Sequence, residues 1–126
     1  LRNASQNFIC KEVFLSSAKG TGDFAEAIKG KNPLQMTIAH GEGRYYIDPE
    51  GLAELKRQGQ IVLQYSNDQG EINAEDNPNG SLENIAGVRN KAGNVIGLMP
   101  HPERACFKEA GGLIDGQLFL KAFLSI

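Results

Sequence analysis

The sequence predicts an α/β domain with a partly antiparallel sheet, and three observations carry that prediction. Short apolar runs alternate with polar residues at a period of two around Leu34, Met36, Ile38 and again at Ile61, Leu63, Tyr65. Two other segments space their apolar residues as a helix does, each behind an aspartate suited to capping. Between Val88 and Val95 the Asn- and Gly-rich stretch Asn90-Lys91-Ala92-Gly93-Asn94 suits a tight reversal, which an antiparallel pair of strands needs. Strands mixed with helices, four or five against two or three, define the class.

In chain order, residues 8–15 are apolar and β-prone without clean alternation, which predicts a strand covered on both faces. Residues 16–22 are small and polar, and residues 23–28 could form a short helix stopped near Gly30. The alternating strand after Pro33 runs into His40-Gly41-Glu42-Gly43-Arg44. A helix follows: Asp48 is the N-cap, Pro49 takes the first turn, Leu52, Ala53 and Leu55 give an apolar side, and Gly59 ends it. After the strand 61–65 comes a long surface loop, residues 67–81, rich in Asn, Asp, Gly and Pro. Residues 85–88 and 95–99 read as the hairpin, followed by Pro100-His101-Pro102-Glu103-Arg104. Asp115 caps a last helix whose apolar face, Leu118, Phe119, Ala122, Phe123 and Ile126, must pack on the sheet. Half a sheet of this kind leaves an open edge, and the chain opens on Leu1-Arg2-Asn3 with no Met before Met36; both lead us to expect a longer polypeptide.

The 126 residues make at most one domain. With 40% hydrophobic and 22% charged residues the chain can bury a core, an aliphatic one because Trp is absent. A net charge of −2 without a Lys/Arg cluster argues against nucleic-acid binding, and no apolar run reaches the ~18 residues of a membrane span. Two separated cysteines, Cys10 and Cys106, do not make a disulfide framework and suit a reducing compartment, so the expected location is cytoplasmic.

His101 and Glu103 stand two apart after a strand, each next to prolines that favour extended backbone, where alternate side chains point the same way. A carboxylate beside an imidazole selects its tautomer and stabilises its cation, as a general base requires; the bland alternative is a proline-stiffened surface turn. No nucleophile accompanies the pair. Cys10 sits in a β-prone run, where a free cysteine is usually a small buried hydrophobe, and Cys106 follows Glu103 too closely to face it. Neither has flanking glycines of a nucleophile elbow. The loop at His40-Gly41-Glu42-Gly43 follows a strand end, where its glycines let backbone N–H groups approach an anionic or zwitterionic ligand; the alternative is a plain turn. A zinc site would need His40, His101, Cys10 and Cys106 to converge without any paired spacing.

Read together, several stretches resemble a known family. In order they are Leu1-Arg2-Asn3, Phe8-Ile9-Cys10, Ala39-His40-Gly41-Glu42-Gly43-Arg44-Tyr45-Tyr46, Asn77-Pro78-Asn79-Gly80-Ser81, Ile85-Ala86-Gly87-Val88 and Gly97-Leu98-Met99-Pro100-His101-Pro102-Glu103-Arg104. The ordered set resembles the class I glutamine amidotransferases, in particular the glutaminase subunits of phosphoribosylformylglycinamidine synthase, over nearly the whole chain. The resemblance implies a flavodoxin-like three-layer domain with a mixed sheet, of which residues 1–126 are the C-terminal part. It implies release of ammonia from glutamine for de novo purine biosynthesis, with a Cys-His-Glu triad in which His101 is the base and Glu103 orients it. The loop residues His40, Gly41 and Glu42 would border the glutamine pocket. The implied partners are a synthetase subunit and a small accessory subunit; ATP and Mg²⁺ belong to the synthetase, and no cofactor or metal to this chain.

The departures matter as much. The family's Gly-x-Cys-x-Gly elbow and its oxyanion-hole glycines do not occur in these residues, and residues 17–32 match only loosely. The chain by itself is therefore expected to be inactive. A second reading is a non-catalytic module that binds the synthetase; a third is the tail of one large synthetase chain, against which the final helix ending at Ile126 weighs. Arg104 and the loop 67–81 flank the predicted site and are candidates for docking the partner.

Overall fold

The computed structural model describes residues 1–18, 26–28, 31–110 and 112–124. Five strands form one sheet: β1 (Ile9–Ser17), β2 (Leu34–His40), β3 (Ile61–Ser66), β4 (Ile85–Arg89) and β5 (Ile96–Leu98), in the spatial order β2-β1-β3-β4-β5. Every pairing among these strands is antiparallel, so the described residues build the antiparallel part of the expected sheet. Among the described residues two longer helices accompany it, α1 (Pro49–Arg57) and α2 (Asp115–Leu124). The possible helix at 23–28 lies mostly outside the described residues. No helix among the described residues is long and apolar enough to cross a membrane.

Helix α1 forms as its local sequence dictates. The Asp48 carboxylate accepts the Gly51 N–H at 2.8 Å, Pro49 occupies the first turn, and Lys56 and Arg57 lie at the carbonyl end. At the other end Gly59 adopts φ +59°, its N–H donates to the Lys56 carbonyl, and the Gln60 N–H donates to the Leu55 carbonyl. These two hydrogen bonds to the last turn satisfy two otherwise orphan carbonyls, and the left-handed step at Gly59 is why a glycine ends the helix. The buried Leu55 then packs with Ile61 and Ile85.

The main core gathers Leu15, Leu34, Met36, Ile38, Leu63 and Tyr65, all fully buried, with Phe119 and Ala122 of α2. Each such side chain contributes roughly 1.5–3 kcal/mol of burial. Phe119, Ala122 and the partly buried Leu118 confirm the apolar face expected of α2; Ile126 lies outside the described residues.

Strand β1 departs from expectation. Only its second half is covered: Val13 and Leu15 are buried, whereas Cys10, Lys11 and Glu12 are exposed and Phe8, just before it, is 69% exposed. The register explains the difference, since β3 pairs with β1 only from Phe14 to Ser17 and leaves the first half with β2 alone.

The sheet curls enough for the chain after β5 to reach the far edge. His101 donates its N–H to the Thr37 carbonyl of β2 at 2.8 Å, forming an isolated antiparallel bridge, and Asp115 accepts the Gln35 N–H at 2.8 Å. The edge of β2 that β1 does not use is thereby partly occupied, which places residues 101–105 against β2.

Candidate active site

The hairpin delivers His101. Gly87 pairs with Leu98 and the Met99 N–H donates to the Ala86 carbonyl at 3.0 Å, so Pro100 and His101 leave β5 on a defined path to Thr37. His101 itself is extended, φ −104° and ψ 90°, as a residue before proline should be. Glu103 is not extended: it lies in a 3-10 turn, Pro102–Ala105, that His101 caps. The side chains meet nonetheless, with His101 Nδ1 2.6 Å from Glu103 Oε1. The predicted pair is therefore present, made by a tight turn rather than by alternation along a strand.

Burial works against the charge on Glu103, but the His101 hydrogen bond, its own backbone amide and the charges of His101 and Arg104 outweigh it and hold the carboxyl below the usual range. Glu103 is thus an anion at neutral pH, and it accepts the proton of Nδ1. The neutral tautomer it selects leaves the His101 Nε2 lone pair free. The imidazole keeps 32% of its side-chain surface exposed, so a reactant can reach it.

The loop after β2 stands near this pair. Asn3 Nδ2 donates to the Asn7 and His40 carbonyls, both at 2.8 Å, which fixes its Oδ1 as the acceptor facing the His40 ring. His40 Nδ1 donates to that oxygen at 3.0 Å, and the Gly43 N–H donates to it at 3.0 Å as well. Burial lowers the His40 imidazole; a contact with its own backbone opposes this, and the nearby His101 lowers it further. His40 is therefore an uncharged ring at neutral pH, held near His101. Its ring lies flat on Gly43, where a Cβ would sit 2.5 Å from Nε2 and nearer still to Nδ1 and Cε1.

Of the predicted loop residues, His40 and Gly41 are integrated, Gly41 through its carbonyl, which accepts the Asn3 N–H at 2.9 Å. Glu42 points outward, its carboxylate 3.8 Å from Arg2 with both side chains at least three-quarters exposed. A cleft of about 380 Å³ opens beside this loop, lined by Glu42, Gly43, Arg44 and the hairpin residues Gly87, Gly97 and Met99. A larger cavity of about 520 Å³, between Ser16, Lys56, Gln64 and Glu83, contains neither His40, His101 nor Glu103, so size does not mark the site.

Sequence reading missed Asn3 and Asn79, each 1% exposed. The loop 67–81, expected at the surface, buries its last turn instead: Asn79 and Ser81 pack against Gly43, with Asn79 Nδ2 2.9 Å from the Gly43 carbonyl. A signal existed in the Asn77-Pro78-Asn79-Gly80-Ser81 turn, whose polar residues exceed what a short reversal requires. Cys10 is exposed rather than buried, because it lies on the half of β1 that β3 leaves uncovered. Cys106 is buried and donates its thiol proton to the Pro102 carbonyl at 3.0 Å. It is thereby tied into the turn that carries Glu103.

Fold and site together define an α/β domain that presents a carboxylate-anchored imidazole where a curled antiparallel sheet closes on its own edge. Residues 1–116 match the model of the family described as CobB/CobQ-like glutamine amidotransferase domain, and the chain belongs to that family. Among its relatives is the phosphoribosylformylglycinamidine synthase subunit PurQ of Chlorobium chlorochromatii, 46% identical over 96% of this chain and 51% of that protein. The subunit of the same name from Aquifex aeolicus is 43% identical over 99% of this chain and 55% of its own length. In the solved structure of PurLQS from Thermotoga maritima a chain superposes with a TM-score of 0.74 at 40% identity, over 99% of this chain and 50% of that one. The chain spans about half the length of the relatives it matches.

Proposed function

We propose that these residues are the His–Glu half of a glutaminase, the component of phosphoribosylformylglycinamidine synthase that releases ammonia from glutamine for purine biosynthesis. The observation that supports it most is the 2.6 Å contact between His101 and Glu103 within residues that match the amidotransferase family. The relatives that carry the synthase-subunit name narrow the class to this reaction.

His101 Nε2 takes the proton of a cysteine thiol as the sulfur adds to the glutamine side-chain carbonyl. The same proton then goes to the leaving nitrogen, which departs as ammonia and leaves a glutamyl thioester. Water, deprotonated by the same imidazole, hydrolyses the thioester to glutamate and restores the thiol. Glu103 stabilises the imidazolium formed in each step without itself taking the proton. The thiol belongs to a Gly-x-Cys-x-Gly segment that these 126 residues do not contain, so they catalyse nothing by themselves and act as the C-terminal part of one amidotransferase domain.

His40, Gly41 and Glu42 border the glutamine pocket, and backbone groups of that loop receive the amino-acid end of the substrate. The partner is a synthetase subunit that consumes the ammonia together with ATP and Mg²⁺, with a small accessory subunit, in the cytoplasm. Arg104 and the exposed part of the loop 67–81 face that partner.

The test is the mass of the intact glutaminase containing this sequence, before and after exposure to a glutamine-mimicking electrophile. One adduct, on a cysteine other than Cys10 and Cys106, is the expected result. An adduct on either of those two, or none on an enzyme that is otherwise folded, overturns the assignment.

A further inference from the structure

We propose that Asn79, together with Asn3, is a positioning residue for glutamine capture: the two amides clamp Gly43 from both sides and so set the loop that receives the substrate's amino-acid end. The inference rests on the glutaminase reading above and adds to it the residues that shape the pocket.

Gly43 is held by both of its peptide groups. Its N–H donates to Asn3 Oδ1 at 3.0 Å, and its carbonyl accepts from Asn79 Nδ2 at 2.9 Å. Asn3 also receives the His40 ring and binds the His40 and Gly41 carbonyls, so the His40, Gly41 and Gly43 carbonyls are all taken. Asn79 is anchored in turn: its Oδ1 accepts the Ser81 N–H at 3.0 Å, its carbonyl accepts the Ala4 N–H at 2.9 Å, and its Nδ2 lies 3.3 Å from the hydroxyl of the fully buried Tyr65. The clamp thus connects the loop to the core strand β3 and to the first residues of the chain.

Among the described residues the Gly41 and Glu42 amides donate to no protein acceptor. Two such N–H groups at a strand end suit the α-carboxylate of an amino acid. Neither asparagine reaches them directly. What the clamp supplies is orientation, because a rigid loop spends none of the ligand's binding energy on ordering itself. Buried asparagines with their hydrogen bonds made rigidify the backbone they hold, whereas the same groups left unpaired would be costly.

The experiment uses the intact glutaminase in complex with its synthetase, and compares Asn79→Ala with wild type in three assays. The KM for glutamine is expected to rise at least tenfold while kcat falls less than about threefold. The rate of thiol alkylation by iodoacetamide, which has no amino-acid end, is expected to remain within twofold of wild type. Ammonia-dependent synthesis by the partner is expected to stay unchanged. Gly43→Ala, whose Cβ presses on the His40 ring and disturbs its bond to Asn3, perturbs the same loop while keeping both asparagines and should show the same split; it carries the test if the Asn79 variant does not fold. An active wild type whose two variants keep the wild-type KM, or lose kcat and iodoacetamide reactivity together, overturns the clamp alone. A folded wild type that hydrolyses no glutamine overturns the glutaminase reading and the clamp with it.

Discussion

Replacing Gly116 by alanine tests whether the α2 N-terminus sets the position of the His101–Glu103 pair. Gly116 packs directly on the 3-10 turn that follows His101: a Cβ there would sit 2.8 Å from the Pro102 carbonyl carbon and 2.9 Å from the Ala105 oxygen, and closer still to the Pro102 oxygen. Ordinary carbon contacts need about 3.5–4.0 Å, so the turn or the helix must move by roughly an ångström. Neither side can do so by rotating a side chain, because the obstacles are backbone atoms. Helix α2 is also fixed through Asp115, which accepts the Gln35 N–H, and the turn through the Cys106 thiol on the Pro102 carbonyl. Overpacking of this kind costs about 1–3 kcal/mol, from which the better helix propensity of alanine recovers about 0.5–1. For a domain of the relatives' length each kcal/mol lowers Tm by about 2–4 °C. A shift of an ångström at His101 and Glu103 should reduce glutamine turnover by about 10²-fold. Gly116→Ala in the intact enzyme, followed by thermal melting and by glutamine- and ammonia-dependent synthesis, is expected to lose a few degrees and most of the glutamine-dependent rate, with the ammonia-dependent rate retained. Wild-type melting and wild-type glutamine turnover would refute the packing as read.

Three further outcomes are expected. Asp48→Ala removes the acceptor of the Gly51 N–H and should cost about 1 kcal/mol in urea unfolding; no loss would mean that packing of Leu55 alone holds α1. Glu103→Gln keeps the size of the side chain but not its charge, so glutamine turnover should fall by up to about 10⁴-fold while the KM changes little; retention of wild-type kcat would remove Glu103 from the mechanism. His40 is held below its ordinary value of 6.5, so as pH falls below 6.5 the unfolded chain binds a proton that the native one refuses. Its contribution is therefore absent above that pH and becomes increasingly destabilising down to the folded-state value. Urea unfolding at a series of pH values should show a steeper acid loss for wild type than for His40→Gln, and parallel curves would show that His40 titrates freely.

Much of this was legible because it is local. The Asp48 cap, Pro49 and Gly59 act within a turn of α1, and the hairpin depends on its own connecting residues, so both follow from the sequence between their ends. The His101–Glu103 pair was visible for the same reason, although its geometry was not: Pro102 starts a turn as readily as it extends a strand, and contact with α2 decides which. Asn3 and Asn79 were not legible, since their partners lie 36 to 40 residues away and an asparagine near a glycine reads as a loop residue. Cys10 was misread because burial of β1 depends on how far β3 extends along it, which no pattern within β1 records. Closure of the sheet at Thr37 likewise depends on the curl of five strands.

The central claim is that His101 serves glutamine hydrolysis and nothing else. In the intact complex His101→Ala should abolish glutamine-dependent synthesis and leave the ammonia-dependent reaction of the synthetase at its wild-type rate. Equal loss of both reactions, or persistence of the glutamine-dependent one, would contradict the account.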